Sequence, residues 1–201
     1  MYINTEKMIS DVDELGMLKE RKHIFFDLDA TVIGTVFTNS EPKECMRLYK
    51  KSVTDNRYSI LRPGIRKLLE ELKCKINYPL AMITDAKYKR AFTILTQFDL
   101  ISYFDFIVSR ECLDTLEERK GISRFCKPMD IFNGAFLFDD RPEAYEYNRK
   151  KCLLVPPFRV RYDEDNNLEA CADGMHWIKY SDEFIREETE LVRHWINDIL
   201  I

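Results

Sequence analysis

Short apolar runs alternate with amphipathic stretches along this chain. Five of these runs predict buried strands, at residues 23–26, 80–83, 104–108, 135–138 and 152–155. Apolar residues at helical spacing predict helices between them, one that begins just after Pro63 and one over residues 87–98. Strands that alternate with helices are typical of an α/β fold with right-handed crossovers. We therefore expect a doubly wound, mainly parallel five-stranded sheet.

Residues 34–60 interrupt this alternation with Thr, Asn, Ser, Pro and Lys and few core-forming patterns. We expect a small cap or lid there, because insertions of this kind cover the open edge of such a sheet. A plain surface excursion packed by its own few apolar side chains is the alternative. Residues 159–167 are charged and Asn-rich, and we expect a loop. The whole chain, residues 1–201, is long enough for a single domain around one core.

The two ends of the chain carry apolar residues at helical spacing. Met8, Val12 and Leu15 predict a short N-terminal helix. Residues 182–200 predict a C-terminal helix, capped by Ser181 and apolar along one face. That face either docks on the sheet or binds a partner.

The first predicted strand, residues 23–26, runs directly into acidic residues. Asp27 and Asp29 alternate with Leu28, so both carboxylates face one small volume while Leu28 turns back to the core. A divalent cation such as Mg²⁺ relieves their repulsion and usually recruits a substrate phosphate as well. One acid is then a nucleophile that forms an aspartyl phosphate, and the other, Asp29, protonates the leaving oxygen. An acidic strand end that simply begins a solvated loop is the alternative reading.

Three later stretches supply the other parts of a phosphoryl-transfer site. Thr84 ends the second apolar run, Lys127 stands before a proline, and the pair Asp139 and Asp140 ends the fourth run. Alone, each has an ordinary reading as a helix cap, a solvated cation or a turn before Pro142. Phosphoryl transfer needs metal-binding acids, a nucleophile, a hydroxyl donor and a cation on the phosphoryl oxygens. Their joint presence therefore favours that chemistry.

This ordered set resembles the haloacid dehalogenase superfamily of phosphotransferases, from about residue 22 to about residue 158. The resemblance implies that Asp27 is the nucleophile and Asp29 the general acid/base. It also implies that Mg²⁺ is held by Asp27, by the main-chain carbonyl of Asp29 and by Asp139 or Asp140, the other acid of that pair acting indirectly. The phosphate-binding residues that it implies are Thr31, Thr84, Asp85 and Lys127.

A finer resemblance is to the small phosphatases of FCP/SCP type, the NIF-like family, which act on the C-terminal repeats of RNA polymerase II. It rests on Asp27 to Val32, on Leu61 to Gly64 and on Ser109 to Leu113. In the first of these motifs Ala30 replaces the family's usual Glu, and Asp85, next to Thr84, stands where a small residue is commoner. The resemblance therefore transfers the chemistry more directly than the substrate.

We expect a Mg²⁺-dependent phosphomonoester hydrolase that acts on phosphoserine or phosphothreonine in protein. A cap as small as residues 34–60 leaves the site open, which favours a macromolecular phosphate. A nucleotidase or a nucleic-acid 3′-phosphatase would share every catalytic residue and is the first alternative. A catalytically inactive phosphate-binding scaffold protein is the second, and the intact acids count against it.

Charge and cysteine usage limit the partners and the location. The formal net charge of −4 does not indicate nucleic acid, although Lys87, Lys89 and Arg90 form a local basic cluster. A solvated helix face is the favoured reading of that cluster. Six cysteines without a Cys-x-x-Cys pair favour a reducing compartment. No leader pattern and no apolar run of roughly 18 to 20 residues is present, so we expect no membrane association and a cytoplasmic protein, or a nuclear one in a eukaryotic host.

Overall fold

The computed structural model describes residues 8–9, 22–37, 49–51, 57–75, 78–131, 134–165 and 167–199. The strands in this part of the chain are β1 (Met8–Ile9), β2 (His23–Phe26), β3 (Ile33–Phe37), β4 (Tyr49–Lys51), β5 (Arg57–Leu61), β6 (Leu80–Ile83), β7 (Phe106–Val108), β8 (Gly134–Asp139), β9 (Cys152–Leu154), β10 (Arg159–Tyr162), β11 (Leu168–Cys171) and β12 (Ile178–Lys179). The α-helices are α1 (Ile65–Lys75), α2 (Tyr88–Gln97), α3 (Arg110–Lys120), α4 (Pro142–Asn148) and α5 (Asp182–Ile199).

A central sheet of six strands, in the order β1-β7-β6-β2-β8-β9, carries the fold. Every paired strand in it runs parallel. All five strands predicted from the apolar runs are present, and the predicted α/β fold class is confirmed.

The sixth strand, β1, contains Met8, the first of the three residues on which the predicted N-terminal helix rests. Met8 and Ile9 pair with Ile107 and Val108 along the open edge of β7. The prediction is therefore wrong for Met8, whose strand pairs with the edge of β7. The other two residues of that prediction, Val12 and Leu15, lie outside the described residues.

Helices cover both faces of the central sheet. Ile24 and Phe26 of β2 pack into a buried cluster with α1, α2 and α5, whereas Phe25 points to the opposite face and packs with α3 and α4. A parallel sheet covered in this way is doubly wound. Because β2 lies between β6 and β8, its carboxyl end is at the middle of the edge where such folds bind ligands.

Two small antiparallel sheets, β3-β5-β4 and β10-β11-β12, stand beside the central sheet. They share a third core that includes Val36, Ile60, Phe158 and Val160. The loop expected at residues 159–167 is therefore wrong in its first half, which is β10. Val160 is buried there between two exposed arginines, and a single apolar residue in a charged run is a weak strand signal.

The region predicted as a cap, residues 34–60, is described only in part. Its described residues belong to β3, β4 and β5, while residues 38–48 and 52–56 lie outside the described residues. The cap remains a prediction.

Helix α5 packs its apolar face inward, with Val192, Trp195 and Ile196 buried. It spans Asp182–Ile199, close to the predicted residues 182–200, the last of which lies outside the described residues. Glu188 on this helix accepts a hydrogen bond from Nε of the fully buried Arg62 at 2.6 Å. In the part of the chain that the structure describes, no helix is both long enough and apolar enough to cross a membrane.

Candidate active site

Asp27 lies immediately after β2, at the carboxyl edge of the central sheet, and is buried. Its backbone N–H donates to the carbonyl of Phe138 at 2.9 Å, which ties it to the neighbouring strand β8. The chain then turns sharply: the N–H of Ile33 donates to the carbonyl of Leu28 at 3.0 Å, and Ala30 adopts a left-handed conformation with φ 61°. This turn fixes Asp27 in the sheet edge and sends Asp29 toward solvent.

The sequence-predicted residues of the later motifs converge on Asp27. Thr84 follows β6 and Asp139 ends β8, and these two strands flank β2. Neighbouring parallel strands end side by side, so residues far apart in sequence meet at one edge. Lys127 reaches the same place from the loop before β8. Three of the four predicted stretches are thus joined through Lys127, and the fourth, with Thr84, ends the strand next to β2.

Lys127 is a fully buried cation between two carboxylates. Its Nζ lies 2.6 Å from Oδ1 of Asp27 and 2.6 Å from Oδ2 of Asp139. Burial disfavours the charge of Lys127, but the two carboxylates outweigh it and hold the pKa of this lysine above its ordinary value. Lys127 is therefore charged at neutral pH and neutralises part of the acidic site.

The loop that presents Lys127 is held by Asn148, a residue that no sequence pattern indicates. The side-chain amide of Asn148, at the end of α4, donates to the carbonyls of Cys126 at 2.8 Å and Lys127 at 3.1 Å. Its carbonyl oxygen accepts from the N–H of Met129 at 2.9 Å. Lys127 has φ 43°, an uncommon conformation for a non-glycine residue. An asparagine in a charged helix gives no sequence signal for such a contact.

Asp27, Asp139 and Asp140 form a cluster whose ligand atoms all lie within 4.8 Å of one another. Burial, followed by the neighbouring Asp139 and Asp140, raises the pKa of Asp27 to about 8, and Lys127 offsets part of that effect. Burial and Asp139 likewise raise the pKa of Asp140. Three carboxylates and one lysine leave excess negative charge, and hard oxygen donors of this kind suit a divalent cation.

The two acids of the Asp139–Asp140 pair have different surroundings. Oδ2 of Asp139 contacts Lys127, and its Oδ1 accepts from the N–H of Arg141 at 2.9 Å. Both oxygens of Asp139 are thus engaged by the protein. Asp140 accepts a long hydrogen bond of 3.4 Å from the hydroxyl of Thr31. Asp140 is therefore the acid of the pair better placed to bind an added cation.

Asp29 lies outside this carboxylate cluster and instead contacts Arg90. Two nitrogens of Arg90 each lie 2.6 Å from an oxygen of Asp29. Arg90 belongs to the basic cluster that was expected to be a solvated helix face. That expectation holds for Lys87 and Lys89, which are exposed, and is wrong for Arg90, whose side chain is only 15% exposed.

Thr84 and Asp85 occupy different environments although they are adjacent. The Thr84 hydroxyl is buried and accepts the N–H of Ala86 at 3.1 Å, and a hydroxyl in this role can still donate its own hydrogen. Asp85 instead lies among arginines: Nε of Arg124 is 2.9 Å and Nε of Arg110 3.5 Å from its Oδ1. Phosphate binding by Asp85 stays a prediction.

The geometry suits nucleophilic chemistry on a phosphate ester. A buried carboxylate is held at a sheet edge, a buried cation touches it, and a buried hydroxyl stands at the end of the adjacent strand. Fixed charges in a water-poor pocket are the usual means of stabilising a transferring phosphoryl group.

Comparison with known proteins finds a phosphatase family. The family model of the NLI interacting factor-like phosphatases matches residues 22–186. No curated protein matches the chain significantly.

The solved structures that are similar to this chain include the following two. One is the fission yeast RNA polymerase II CTD phosphatase Fcp1 bound to beryllium fluoride, with 17% identity, a TM-score of 0.46, and coverage of 73% of this chain and 44% of that one. The other is a Vibrio cholerae protein assigned as a 3-deoxy-D-manno-octulosonate 8-phosphate phosphatase, with 14% identity, a TM-score of 0.36, and coverage of 92% and 90%. This chain thus spans less than half the length of the Fcp1 chain.

Proposed function

Because this chain belongs to the NLI interacting factor-like phosphatase family, we propose that it is a Mg²⁺-dependent phosphomonoester hydrolase. Its substrates in this proposal are phosphoserine and phosphothreonine in protein. The observation that carries the proposal is the position of Asp27, a buried carboxylate at the end of the central strand with Lys127 Nζ at 2.6 Å. A carboxylate in that position is fixed for attack instead of being free to rotate in solvent.

The reaction divides into two displacements at phosphorus. Asp27 attacks phosphorus, the bond from phosphorus to the ester oxygen breaks, and that oxygen takes a proton from Asp29 as the alcohol leaves. Water then attacks the aspartyl phosphate, Asp29 accepts the proton of that water, and the bond from Asp27 to phosphorus breaks. Lys127 and the hydroxyl of Thr84 stabilise the negative charge of the phosphoryl oxygens in both steps.

The carboxylate cluster fits a magnesium ion. Asp27, Asp140 and the main-chain carbonyl of Asp29 are the oxygens that we assign to it, since Asp139 is engaged by Lys127 and Arg141. When bound, Mg²⁺ supplies a Lewis acid that neutralises charge on the transferring group.

The substrate assignment rests on the motifs that resemble the FCP/SCP type and on the small size of the predicted cap. A second candidate, a nucleic-acid 3′-phosphatase, is favoured by one observation. Arg110, Arg124 and Arg141 surround Asp85 beside Thr84, and Arg124 and Arg141 both stack on Phe125, at 4.8 and 4.6 Å. Arginines beside an aromatic ring are a common arrangement for binding phosphates and bases.

A substrate panel tests the proposal and separates the two candidates. Turnover of a generic aryl phosphate with Mg²⁺ is compared between wild type and Asp27→Asn, and then phosphopeptides, nucleotides and 3′-phosphorylated oligonucleotides are compared for wild type. We expect aryl phosphatase activity that Asp27→Asn abolishes, and the highest kcat/KM for phosphopeptides. Equal activity of wild type and Asp27→Asn contradicts the enzyme proposal and favours a phosphate-binding scaffold. A preference for oligonucleotides contradicts the assignment of a protein substrate but leaves the phosphatase proposal intact.

A further inference from the structure

The side chain of Asp29 is held in an ion pair with Arg90 that occupies both of its oxygens. One terminal nitrogen of Arg90 lies 2.6 Å from Oδ2 and the other 2.6 Å from Oδ1. Thr35 joins the same group, since its hydroxyl donates to Oδ1 of Asp29 at 3.3 Å and accepts from Arg90 at 3.5 Å. The planar guanidinium matches the carboxylate in two parallel hydrogen bonds, which is the strong geometry for this pair.

The position of the pair matters because Asp29 is the residue that must reach the leaving oxygen. Its carboxylate lies outside the cluster formed by Asp27, Asp139 and Asp140. Arg90 is in the first turn of α2, and its N–H donates to the carbonyl of Lys87 at 3.0 Å, so its backbone is anchored. The 41% exposure of the Asp29 side chain means that a substrate can reach the pair from solvent.

We propose that Arg90 is a positioning and specificity-determining residue that releases Asp29 when a second anionic group of the substrate takes its place. This inference rests on the proposed function. A substrate with a carboxylate or a phosphate next to the phosphoester presents to Arg90 the same two oxygens that Asp29 presents. The exchange replaces one bidentate pair by another, so the Asp29 carboxylate is freed at little cost, takes up a proton from solvent and turns toward the leaving oxygen. A neutral substrate has to break the pair without replacement.

The substrate class that follows is a phosphoserine or phosphothreonine peptide with an acidic residue or a second phosphate beside the phosphorylated one. A charge-assisted pair contributes about 1.5 to 3 kcal/mol, which corresponds to a preference of about tenfold or more. This preference for an acidic neighbour depends on Arg90 and is separate from the general attraction of a phosphate to a basic surface.

The test uses two phosphoserine peptides that differ only in Glu or Gln next to the phosphoserine. For wild type with Mg²⁺ we expect kcat/KM to be about tenfold higher for the Glu peptide. In Arg90→Gln we expect that ratio to fall to about one, because kcat for the Gln peptide rises as Asp29 is released and KM for the Glu peptide rises as its partner is lost. Arg90→Lys keeps the charge but cannot form the bidentate pair, and its ratio is expected to lie between those of wild type and Arg90→Gln. Lys89→Gln, an equal loss of charge at an exposed position of the same helix, is expected to keep the wild-type ratio.

Several outcomes would overturn the role of Arg90. The first is an equal kcat/KM for the two peptides in wild type, and the second is an equal loss of kcat/KM for both peptides in Arg90→Gln. The third is a change of the Glu-to-Gln ratio in Lys89→Gln as large as that in Arg90→Gln. The fourth is no turnover of either peptide by an enzyme that hydrolyses aryl phosphate. If wild type does not hydrolyse aryl phosphate at all, the proposed function is contradicted instead. Calorimetric binding to Asp27→Asn then decides the role of Arg90 without turnover. Tighter binding of the Glu peptide that disappears when Arg90→Gln is added supports it, and equal binding of the two peptides refutes it.

Discussion

Lys127 is the cation that offsets the repulsion among three neighbouring carboxylates, and Lys127→Met tests that role. The lysine is fully buried and contacts Asp27 and Asp139 at 2.6 Å each. Methionine fills a similar volume without the charge. Removing one partner of a buried ion pair leaves an uncompensated buried charge, which costs about 3 to 5 kcal/mol. We expect Lys127→Met to lose that much of the free energy of unfolding at pH 8 in the presence of a chelator.

The pH and metal dependence of that loss distinguish it from a packing defect. At pH 5 we expect a smaller loss, because the raised pKa values of Asp27 and Asp140 let these acids take up protons when the lysine is absent. Mg²⁺ should restore part of the stability at pH 8, and saturation at a hundred times the Kd is worth about 2.7 kcal/mol. We expect the gain from Mg²⁺ to be larger in Lys127→Met than in wild type, since the ion then meets less competing positive charge.

Urea unfolding followed by tryptophan fluorescence measures these quantities, because Trp195 is buried in the core. Lys67→Met, at an exposed position of α1, is the matched control and is expected to change stability by less than about 0.5 kcal/mol. If Lys127→Met and Lys67→Met unfold with the same free energy at pH 8 without metal, the reasoning about the buried carboxylates is refuted.

Three further predictions follow from other contacts. Glu188→Gln deprives the buried Arg62 of its ion-pair partner, and we expect a loss of about 3 kcal/mol in urea unfolding; a loss no larger than that of the more exposed Glu71→Gln would contradict it. In the metal-free protein the pKa of Asp27 is raised to about 8 from 3.8, so the folded state binds a proton that the unfolded state releases. The free energy of unfolding should therefore fall as the pH rises between these two pKa values. Asp27→Asn should remove that fall in urea titrations. Asp29→Asn should lower kcat about 10² to 10⁴-fold for alkyl phosphates and much less for the release of nitrophenol from nitrophenyl phosphate, whereas equal losses would exclude a role in protonating the leaving group.

The candidate site at the edge of the central sheet was predictable because each of its motifs is a short, continuous stretch of sequence. Asp27, Thr84 and Asp139 each follow an apolar run, and the ends of neighbouring parallel strands must meet. The position of Lys127 was predictable only through its place in the ordered motifs, since a lysine before a proline says nothing by itself about burial.

Contacts between distant polar residues could not be predicted in this way. Arg90 lies 61 residues from Asp29 and stands among lysines that are indeed exposed, so its sequence surroundings favour a solvated face. The strand β1 could not be predicted from the sequence for a similar reason. A strand of two residues has no periodicity of its own, and the partner edge on β7 is about a hundred residues away.

The covalent step on Asp27 is the central claim of this account, and acid quenching during turnover tests it most directly. Nitrophenyl phosphate has a good leaving group, so the first displacement is fast and the enzyme should accumulate in its phosphorylated form. We predict a burst of nitrophenol matched by one phosphoryl group per enzyme, mapped by mass spectrometry to Asp27. A burst without a phosphoryl group on Asp27, or with that group on another residue, would contradict the account.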